Sequence, residues 1–130
     1  MSVPPTAVGT EIPSFESAVD RMKIAWMAVA MEDPNPIHVE DEIARRSGYP
    51  SVIAHGTFPV GAIGAMLGRW GGAGSVRKLD VRLTAPTFPG DVVRATGRVV
   101  AAEAGAVTIE VEARAGERLL ARGTAVVEPG

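Results

Sequence analysis

The sequence predicts an α+β fold in which an antiparallel sheet wraps around one central buried helix. From Gly56 to Gly68 every residue is apolar, glycine or threonine, so a helix here has no face suited to water. After Gly74 come four runs rich in valine and threonine, separated by turn signals, a pattern typical of antiparallel strands. Segregated helical and strand segments favour the α+β class.

Length and composition limit the class of protein. The 130 residues are expected to form a single domain over residues 1–130, with residues 1–10 as a flexible arm of mostly small residues. A net charge of −2 gives no electrostatic reason to expect nucleic acid. The lack of cysteine excludes disulfides and thiolate metal sites. No signal-peptide pattern is seen, so a soluble cytoplasmic protein is expected.

The segment before the buried helix predicts one strand and two helices. Residues 11–17 are predicted to form a short strand, and Pro13 confines this strand to an edge of the sheet. Asp20 is a suitable N-cap for a helix over residues 20–31. Residues 39–47 favour a short charged helix closed by Gly48. Apolar residues at i, i+3, i+4 and i+7 define one face of the first helix, namely Met22, Ala25, Trp26 and Val29. Tryptophan there is expected in the core or in an interface.

The buried helix is predicted over residues 56–69. Counted back to Tyr49, the uncharged run approaches the about 20 residues of a membrane span. It includes two prolines, a histidine and four glycines, which favours burial within the protein instead. Each helical glycine costs about 1 kcal/mol relative to alanine, so close packing of another backbone is expected along the glycine stripe. That stripe is Gly61, Gly64 and Gly68, beside an apolar stripe of Val60, Ile63 and Leu67.

Four long strands are predicted after this helix. Alternation of apolar and polar residues, with Ala104-Gly105 and Ala115-Gly116 as hairpin-like signals, supports consecutive antiparallel pairing. A proline- and glycine-containing segment at residues 86–91 separates the first strand from the second. The predicted strands cover residues 76–84, 92–102, 107–114 and 119–128.

A carboxylate and an imidazole stand five positions apart at Asp33 and His38, on a segment stiffened by two prolines. These side chains are common proton-transfer groups in enzymes, so the pair is the first candidate for catalysis. Two structural readings compete with this interpretation. Asp33 and Asn35 could form turns and caps, and His38 could be a structural histidine.

Three segments together carry a family resemblance: Asp33–His38 with the pattern D-x-N-P-x-H, Ile53–Gly56 ending in His-Gly, and Thr84–Asp91 ending in Pro-Gly-Asp. In these segments the chain resembles the MaoC-like, R-specific enoyl-CoA hydratases and dehydratases, over about residues 12–127. The resemblance implies the hot-dog fold, with two subunits forming one continuous sheet and the acyl-CoA near their boundary. It also implies syn addition of water to give an (R)-3-hydroxyacyl product.

The resemblance implies that Asp33 and His38 act on one water that adds to a trans-2-enoyl-CoA, or act in the reverse dehydration. The enolate oxygen formed needs hydrogen-bond donors, which the free amides that open a helix can supply at Gly56. Asn35 is expected to support the loop, and His55 favours a structural role over catalysis. These two, with Thr57 and with Gly64 where many family members carry serine, are the expected substrate-binding residues.

The expected partners follow from the same resemblance. The thioester substrate is carried on CoA or on acyl carrier protein, and no metal, cofactor, nucleic acid or membrane span is expected. Because a lone small hot dog leaves an edge strand and part of its tunnel open, at least a homodimer burying more than about 1,000 Å² is expected. A hetero-oligomer with a second hot-dog subunit is the alternative.

Two other functions are alternatives to hydration. A hot-dog thioesterase would use a carboxylate on the central helix, and residues 56–68 contain none, which argues against hydrolysis of the acyl-CoA. A non-catalytic subunit of a hetero-oligomeric hydratase is the second alternative. Because Asp33 and His38 are both present, the active subunit is favoured.

Overall fold

The computed structural model describes residues 3–130 and contains one five-stranded sheet with the order β1-β3-β4-β5-β2. All four strand pairs are antiparallel. The predicted sheet around a central helix is thereby confirmed, in the hot-dog arrangement that the resemblance implies. The elements are β1 (Glu11–Ala18), α1 (Arg21–Ala30), a 3₁₀ turn (Pro36–His38), α2 (Asp41–Arg46), α3 (Thr57–Gly71), β2 (Val76–Leu83), β3 (Val92–Glu103), β4 (Ala106–Ala115) and β5 (Arg118–Val127).

The predicted N-terminal arm falls partly outside the described residues, since these exclude residues 1–2. Residues 3–10 form neither helix nor strand. Even so, Gly9 donates its N–H to the Val99 carbonyl at 2.8 Å, and the Val99 N–H donates to the Thr10 carbonyl at 2.8 Å. The end of the arm is therefore bonded to β3.

The core lies between α3 and the concave face of the sheet. Ile63 and Leu67 are fully buried, as predicted, and each contributes about 1.5–3 kcal/mol through burial of its side chain. They pack against the inward residues of the strands, including Val93, Val99, Ile109 and Val111. Among the described helices, none combines the length and the hydrophobicity that crossing a membrane requires.

The role predicted for the glycine stripe is wrong for the single chain. A Cβ atom added to Gly61, Gly64 or Gly68 would have no neighbour within 4 Å among the described residues. The reason is the orientation of α3: its most buried positions are Ala62, Ile63, Met66 and Leu67, so the glycines lie on the opposite, more open side. The close backbone approach occurs instead at Gly123, where a Cβ would clash with the Asp80 carbonyl of the neighbouring strand.

Helix α1 forms as predicted, with the Asp20 side chain accepting the Lys23 N–H at 2.8 Å. Its packing differs from the prediction, because it buries Ile24 and Ala28. Trp26 is 65% exposed and lies outside the core, so only its assignment to an interface stays a prediction. The predicted face is thus largely solvent-exposed, with Met22, Trp26 and Val29 among the exposed large hydrophobic residues.

Helix α2 begins at Asp41, two residues later than predicted, because the preceding residues form the 3₁₀ turn Pro36–His38. It ends as predicted before Gly48, whose φ of +96° suits glycine after a helix. The Asp41 carboxylate accepts hydrogen bonds from the Val52 N–H at 3.0 Å and from Arg21 at 2.9 Å. This carboxylate therefore links α1, α2 and the segment that leads into α3.

Candidate active site

The loop between α1 and α2 carries Asp33 and His38. Asp33 donates its N–H to the Ala28 carbonyl at 2.9 Å, which attaches the start of the loop to the last turn of α1. The Asn35 side chain accepts the Ile37 N–H at 3.1 Å and caps the 3₁₀ turn that presents His38. Both ends of the short segment are thus held by local hydrogen bonds.

His38 is buried and faces the Asp33 carboxylate. Its Nδ1 lies 2.7 Å from the Ile53 carbonyl oxygen. Since a carbonyl only accepts hydrogen bonds, Nδ1 carries the proton, and Nε2 of the neutral ring is left as an acceptor. His38 Nε2 lies 3.8 Å from Asp33 Oδ2, and the Asp33 side chain is 52% exposed. The pair predicted from the sequence is therefore adjacent, with the carboxylate open to solvent.

His55 lies against both of these residues. Its ring stacks on His38, with centroids 3.7 Å apart and planes at 20°. Its Nε2 lies 3.0 Å from the Asp33 carbonyl oxygen and 3.9 Å from Asp33 Oδ2. The other ring nitrogen, Nδ1, is buried and has no hydrogen-bond partner among residues 3–130.

The first residues of α3 present free polar groups beside this cluster. Within residues 3–130 no acceptor receives the Gly56 N–H, as expected for an amide that opens a helix. The Thr57 hydroxyl, one residue later, is also buried without a partner in the same part of the chain. An amide and a hydroxyl are thus left without partners in this part of the chain, at the positive end of the helix dipole.

The segment Thr84–Asp91 braces the start of α3. The Ala54 N–H donates to the Thr87 carbonyl at 2.8 Å, immediately before His55. The Asp91 carboxylate accepts the Phe88 N–H at 2.8 Å and also accepts a hydrogen bond from Arg118. Gly90, between them, has a φ of +94°, which glycine adopts without strain. The Pro-Gly-Asp motif is therefore a structural support of the site.

A cleft of about 420 Å³ opens beside Asp33. Its polar wall contains three of the predicted site residues besides Asp33, while Val60 of α3 and Val81 of β2 are among its apolar walls. Three predicted residues do not line it, namely Asn35, Gly64 and His38, the last of which stacks on His55. The full lining is Met31, Asp33, His55, Gly56, Thr57, Val60, Val81 and Leu83.

Sequence reasoning missed the apolar walls of the cleft. The sequence predicts a strand that includes Val81 and Leu83, and their alternation with Asp80 and Arg82 signals that they share one face, but it does not show that this face borders the site. For Met31 the sequence predicts only a position at the end of the first helix. Which face of β2 meets the start of α3 depends on the pairing of β2 with β5, and that register leaves no signal in the local sequence.

Asp33, His38 and His55 also form a group of possible metal ligands, whose donor atoms lie within 4.8 Å of one another. The lone pairs of the two stacked imidazole rings lie in nearly parallel planes, with ring centroids 3.7 Å apart, which disfavours their convergence on one ion. In addition, His55 Nε2 donates to the Asp33 carbonyl, and a nitrogen that carries a proton cannot coordinate a metal. This geometry does not favour a metal site, and the absence of a metal stays a prediction.

Comparison with known proteins gives the following matches. Residues 6–119 match the family described as MaoC like domain. Over 85 residues the chain is 33% identical to an (R)-specific enoyl-CoA hydratase of Rhodospirillum rubrum, covering 64% of this chain and 59% of that protein. The chain spans 28% to 59% of the length of the four curated relatives that it matches.

Solved structures resemble the fold closely. The (R)-hydratase from A. caviae, involved in PHA biosynthesis, superposes with a TM-score of 0.87 at 25% identity, covering 95% of this chain and 97% of that one. A chain of the ChsH1-ChsH2 complex from Mycobacterium tuberculosis superposes with a TM-score of 0.88 at 22% identity, covering 97% and 100%. The second likeness concerns the fold alone.

Proposed function

Because this chain belongs to the MaoC-like domain family, we propose that it hydrates trans-2-enoyl thioesters to (R)-3-hydroxyacyl thioesters, or catalyses the reverse dehydration. Membership of the family supports enoyl-CoA hydration in general, and Asp33, His38 and Gly56 of this chain are proposed to carry it out. The observation that carries it is the placement of Asp33 Oδ2 at 3.8 Å from His38 Nε2, beside a cleft that includes Gly56 at the start of α3.

The spacing of the pair suits a shared water. Asp33 Oδ2 and, in the neutral ring, His38 Nε2 are both acceptors, so they do not bond to each other. A water oxygen at about 2.8 Å from each can donate one hydrogen to the carboxylate and the other to the imidazole. A water held in this way keeps its lone pairs free to attack an electrophilic carbon.

In the proposed reaction the water oxygen forms a bond to C3 of the enoyl group while Asp33 accepts a water proton. The C2–C3 π electrons move toward the thioester carbonyl and give an enolate. The Gly56 N–H donates to the enolate oxygen, and the N-terminus of the 15-residue helix α3 favours its negative charge.

The second half of the reaction returns the proton. Asp33, with His38 sharing in the transfer, delivers it to C2, which restores the thioester carbonyl and the carboxylate. The net change is the addition of one water. Because the hydroxyl and the proton come from one side of the substrate, addition is syn, and the family resemblance implies the (R) product.

Two further residues are proposed to border the substrate, and a third is proposed to support the loop. Thr57 is part of the cleft wall, and its buried hydroxyl is unpartnered within the described chain, so we propose this hydroxyl as the partner of a polar group of the thioester. Gly64 lies seven residues along the same helix, on the same face, with open space where a side chain would be. Asn35 supports the loop from behind through its bond to Ile37.

Self-association is proposed as well. Strand β2 is an edge of the sheet, and an unpaired edge of eight residues can pair with a second sheet. Leu83 on this edge is 51% exposed and lines the cleft, so a second subunit here would also close the site. The alternative is a hetero-oligomer with a different hot-dog subunit, the type of assembly named for ChsH1-ChsH2.

The proposal is tested by assaying the purified chain with short, medium and long trans-2-enoyl-CoA and acyl carrier protein thioesters. Activity is followed by the loss of the conjugated enoyl thioester, and the product is assigned with (R)- and (S)-specific dehydrogenases. Hydration to the (R) product supports the proposal. An (S) product contradicts it, and activity that appears only with a second subunit supports the hetero-oligomer. Release of free CoA thiol would favour the thioesterase alternative.

A further inference from the structure

His55 touches both members of the Asp33–His38 pair, although it lies far from them in the sequence. It is 4% exposed, its ring stacks on His38 at 3.7 Å, and its Nε2 lies 3.0 Å from the Asp33 carbonyl oxygen. Because a carbonyl only accepts, His55 must be the donor in this hydrogen bond, and the proton is on Nε2.

The Asp33 side chain is not fixed by direct hydrogen bonds to the histidines. The nearest nitrogens, His38 Nε2 at 3.8 Å and His55 Nε2 at 3.9 Å, lie beyond hydrogen-bond distance of the carboxylate. What holds the residue is its main chain. Its N–H donates to the Ala28 carbonyl at 2.9 Å, and its carbonyl accepts the proton of His55.

The residue before Asp33 makes this second bond more important. Glu32 has a φ of +51°, a left-handed conformation that a residue other than glycine adopts only where its surroundings hold it there. The chain therefore turns sharply immediately before Asp33. The hydrogen bond from His55 holds the Asp33 carbonyl, which follows this turn. It therefore fixes the direction in which the Asp33 side chain points.

We propose that His55 is a positioning residue for hydration: it fixes Asp33 through the main-chain carbonyl of that residue and fixes the ring plane of His38 by stacking. This inference rests on the proposed function of the pair. His55 acts through Asp33 and His38, and the contact that matters most is the donor at Nε2. A misplacement of about 1 Å in a group that handles a reacting water can lower the rate about 100-fold.

Two substitutions separate the donor from the ring. His55→Phe keeps a flat ring for stacking and removes the Nε2 donor. His55→Gln loses the ring but places an amide N–H near the position of Nε2. If the donor is what positions Asp33, the phenylalanine variant should lose about tenfold or more in kcat, as expected for one lost buried hydrogen bond. The glutamine variant should retain most of kcat, and KM should change about twofold or less in both.

The experiment compares kcat and KM for these variants in the unmodified chain and in an Asp33→Asn background, with folding checked by circular dichroism and thermal unfolding. In the Asp33→Asn background, His55→Phe should lower kcat little further, because Asp33, the residue through which His55 acts, has already lost its function. A purely structural role would give the same proportional loss in both backgrounds. If His55→Phe does not fold, His55→Asn replaces it, since its shorter amide does not reach the Nε2 position.

Three results would overturn the inference. One is full kcat in folded His55→Phe or His55→Asn, and another is an equal loss in both backgrounds. The third is a folded His55→Gln protein whose kcat is as low as that of His55→Phe, or of His55→Asn where that variant replaces it. If the unmodified chain is active and depends on Asp33 but not on His55, only this inference fails. If the unmodified chain has no hydratase activity, either alone or with a second hot-dog subunit, the proposed function fails and the inference fails with it.

Discussion

The Asp41 carboxylate accepts the backbone N–H of Val52 at 3.0 Å, which ties the start of α2 to the segment that enters α3. The same carboxylate pairs with Arg21 of α1. The hydrogen bond from Val52 and then the bond from Arg21 hold the pKa of the Asp41 carboxyl below its usual range. This link supports the segment that carries His55 and Gly56.

A pH dependence of stability follows from this link. Because the pKa of Asp41 is lower in the folded state, the unfolded state binds more protons as the pH falls toward about 4, the usual range of an aspartate. The stabilising contribution is fully present above that range and is lost as the pH falls through the folded pKa. In urea unfolding between about pH 6 and pH 3, Asp41→Asn should therefore show a shallower acid loss of unfolding free energy than the unmodified chain.

Asp80→Asn serves as the control, since Asp80 is exposed on β2 and should leave the acid slope close to that of the unmodified chain. Equal slopes for Asp41→Asn and the unmodified chain would mean that the link to Val52 and Arg21 does not contribute to stability.

Thr57 provides a second prediction. A buried hydroxyl without a partner costs about 1–3 kcal/mol relative to a solvated one, so Thr57→Val should leave the free energy of unfolding unchanged or raise it. If the hydroxyl binds the thioester, the same variant should raise KM several-fold. Thr57→Ser keeps the hydroxyl and should have a near-normal KM. Unchanged kinetics in Thr57→Val, measured with the best substrate, would exclude the hydroxyl from substrate binding.

The sequence was sufficient for most of the fold because its signals were local. A helix over the charge-free residues 56–68 has no face suited to water, so it must be buried. Asp20 marks the start of a helix because its side chain can accept a hydrogen bond from a free backbone N–H of the first turn. The buried face of α1 could not be read in this way. Apolar residues occur on both sides of that helix, with Ile24 and Ala28 on one and Trp26 and Val29 on another, so periodicity did not determine which side meets the sheet.

One part of the candidate site could likewise be predicted from the local sequence, and another part could not. The Asp33 and His38 pair was predictable because both residues lie on one short, proline-stiffened segment. The hydrogen bond from His55 to Asp33 joins a side chain to a main-chain carbonyl 22 positions away, and any residue type at position 33 has such a carbonyl. Contacts of this kind leave no pattern in the sequence, so the role of His55 required the structure.

Self-association is the third prediction. Light scattering across a range of concentrations should give a mass of at least two chains, because β2 leaves an open edge and Trp26 is 65% exposed. Trp26→Lys should weaken association if α1 lies in the interface, whereas Val8→Lys, at a 68% exposed position in the arm, should not. A stable, active monomer at micromolar concentration would contradict the prediction of an obligate assembly.

The last prediction concerns Asp33 and His38 as a unit. Groups that transfer protons in a transition state contribute roughly 10²–10⁴-fold to rate, so Asp33→Asn and His38→Ala should each lower kcat about 100-fold or more with little change in KM. Asp33→Asn should remain folded, since the Asp33 side chain is half exposed and its main-chain bonds survive. Because His38→Ala removes a buried ring and its hydrogen bond to the Ile53 carbonyl, the folding of this variant is checked by circular dichroism before its kcat is compared. Glu32→Gln is the matched control, because it neutralises the adjacent exposed carboxylate, and it should keep kcat within about twofold.

The double variant separates a shared water from two independent functions. If one water is held by both residues, removing either disables it, and the double variant should be only slightly slower than the worse single variant. Independent contributions would multiply instead, giving a loss near the product of the two. Full hydratase activity in Asp33→Asn would show that the water is activated elsewhere, because the 3.8 Å spacing to His38 Nε2 would then have no role in the reaction.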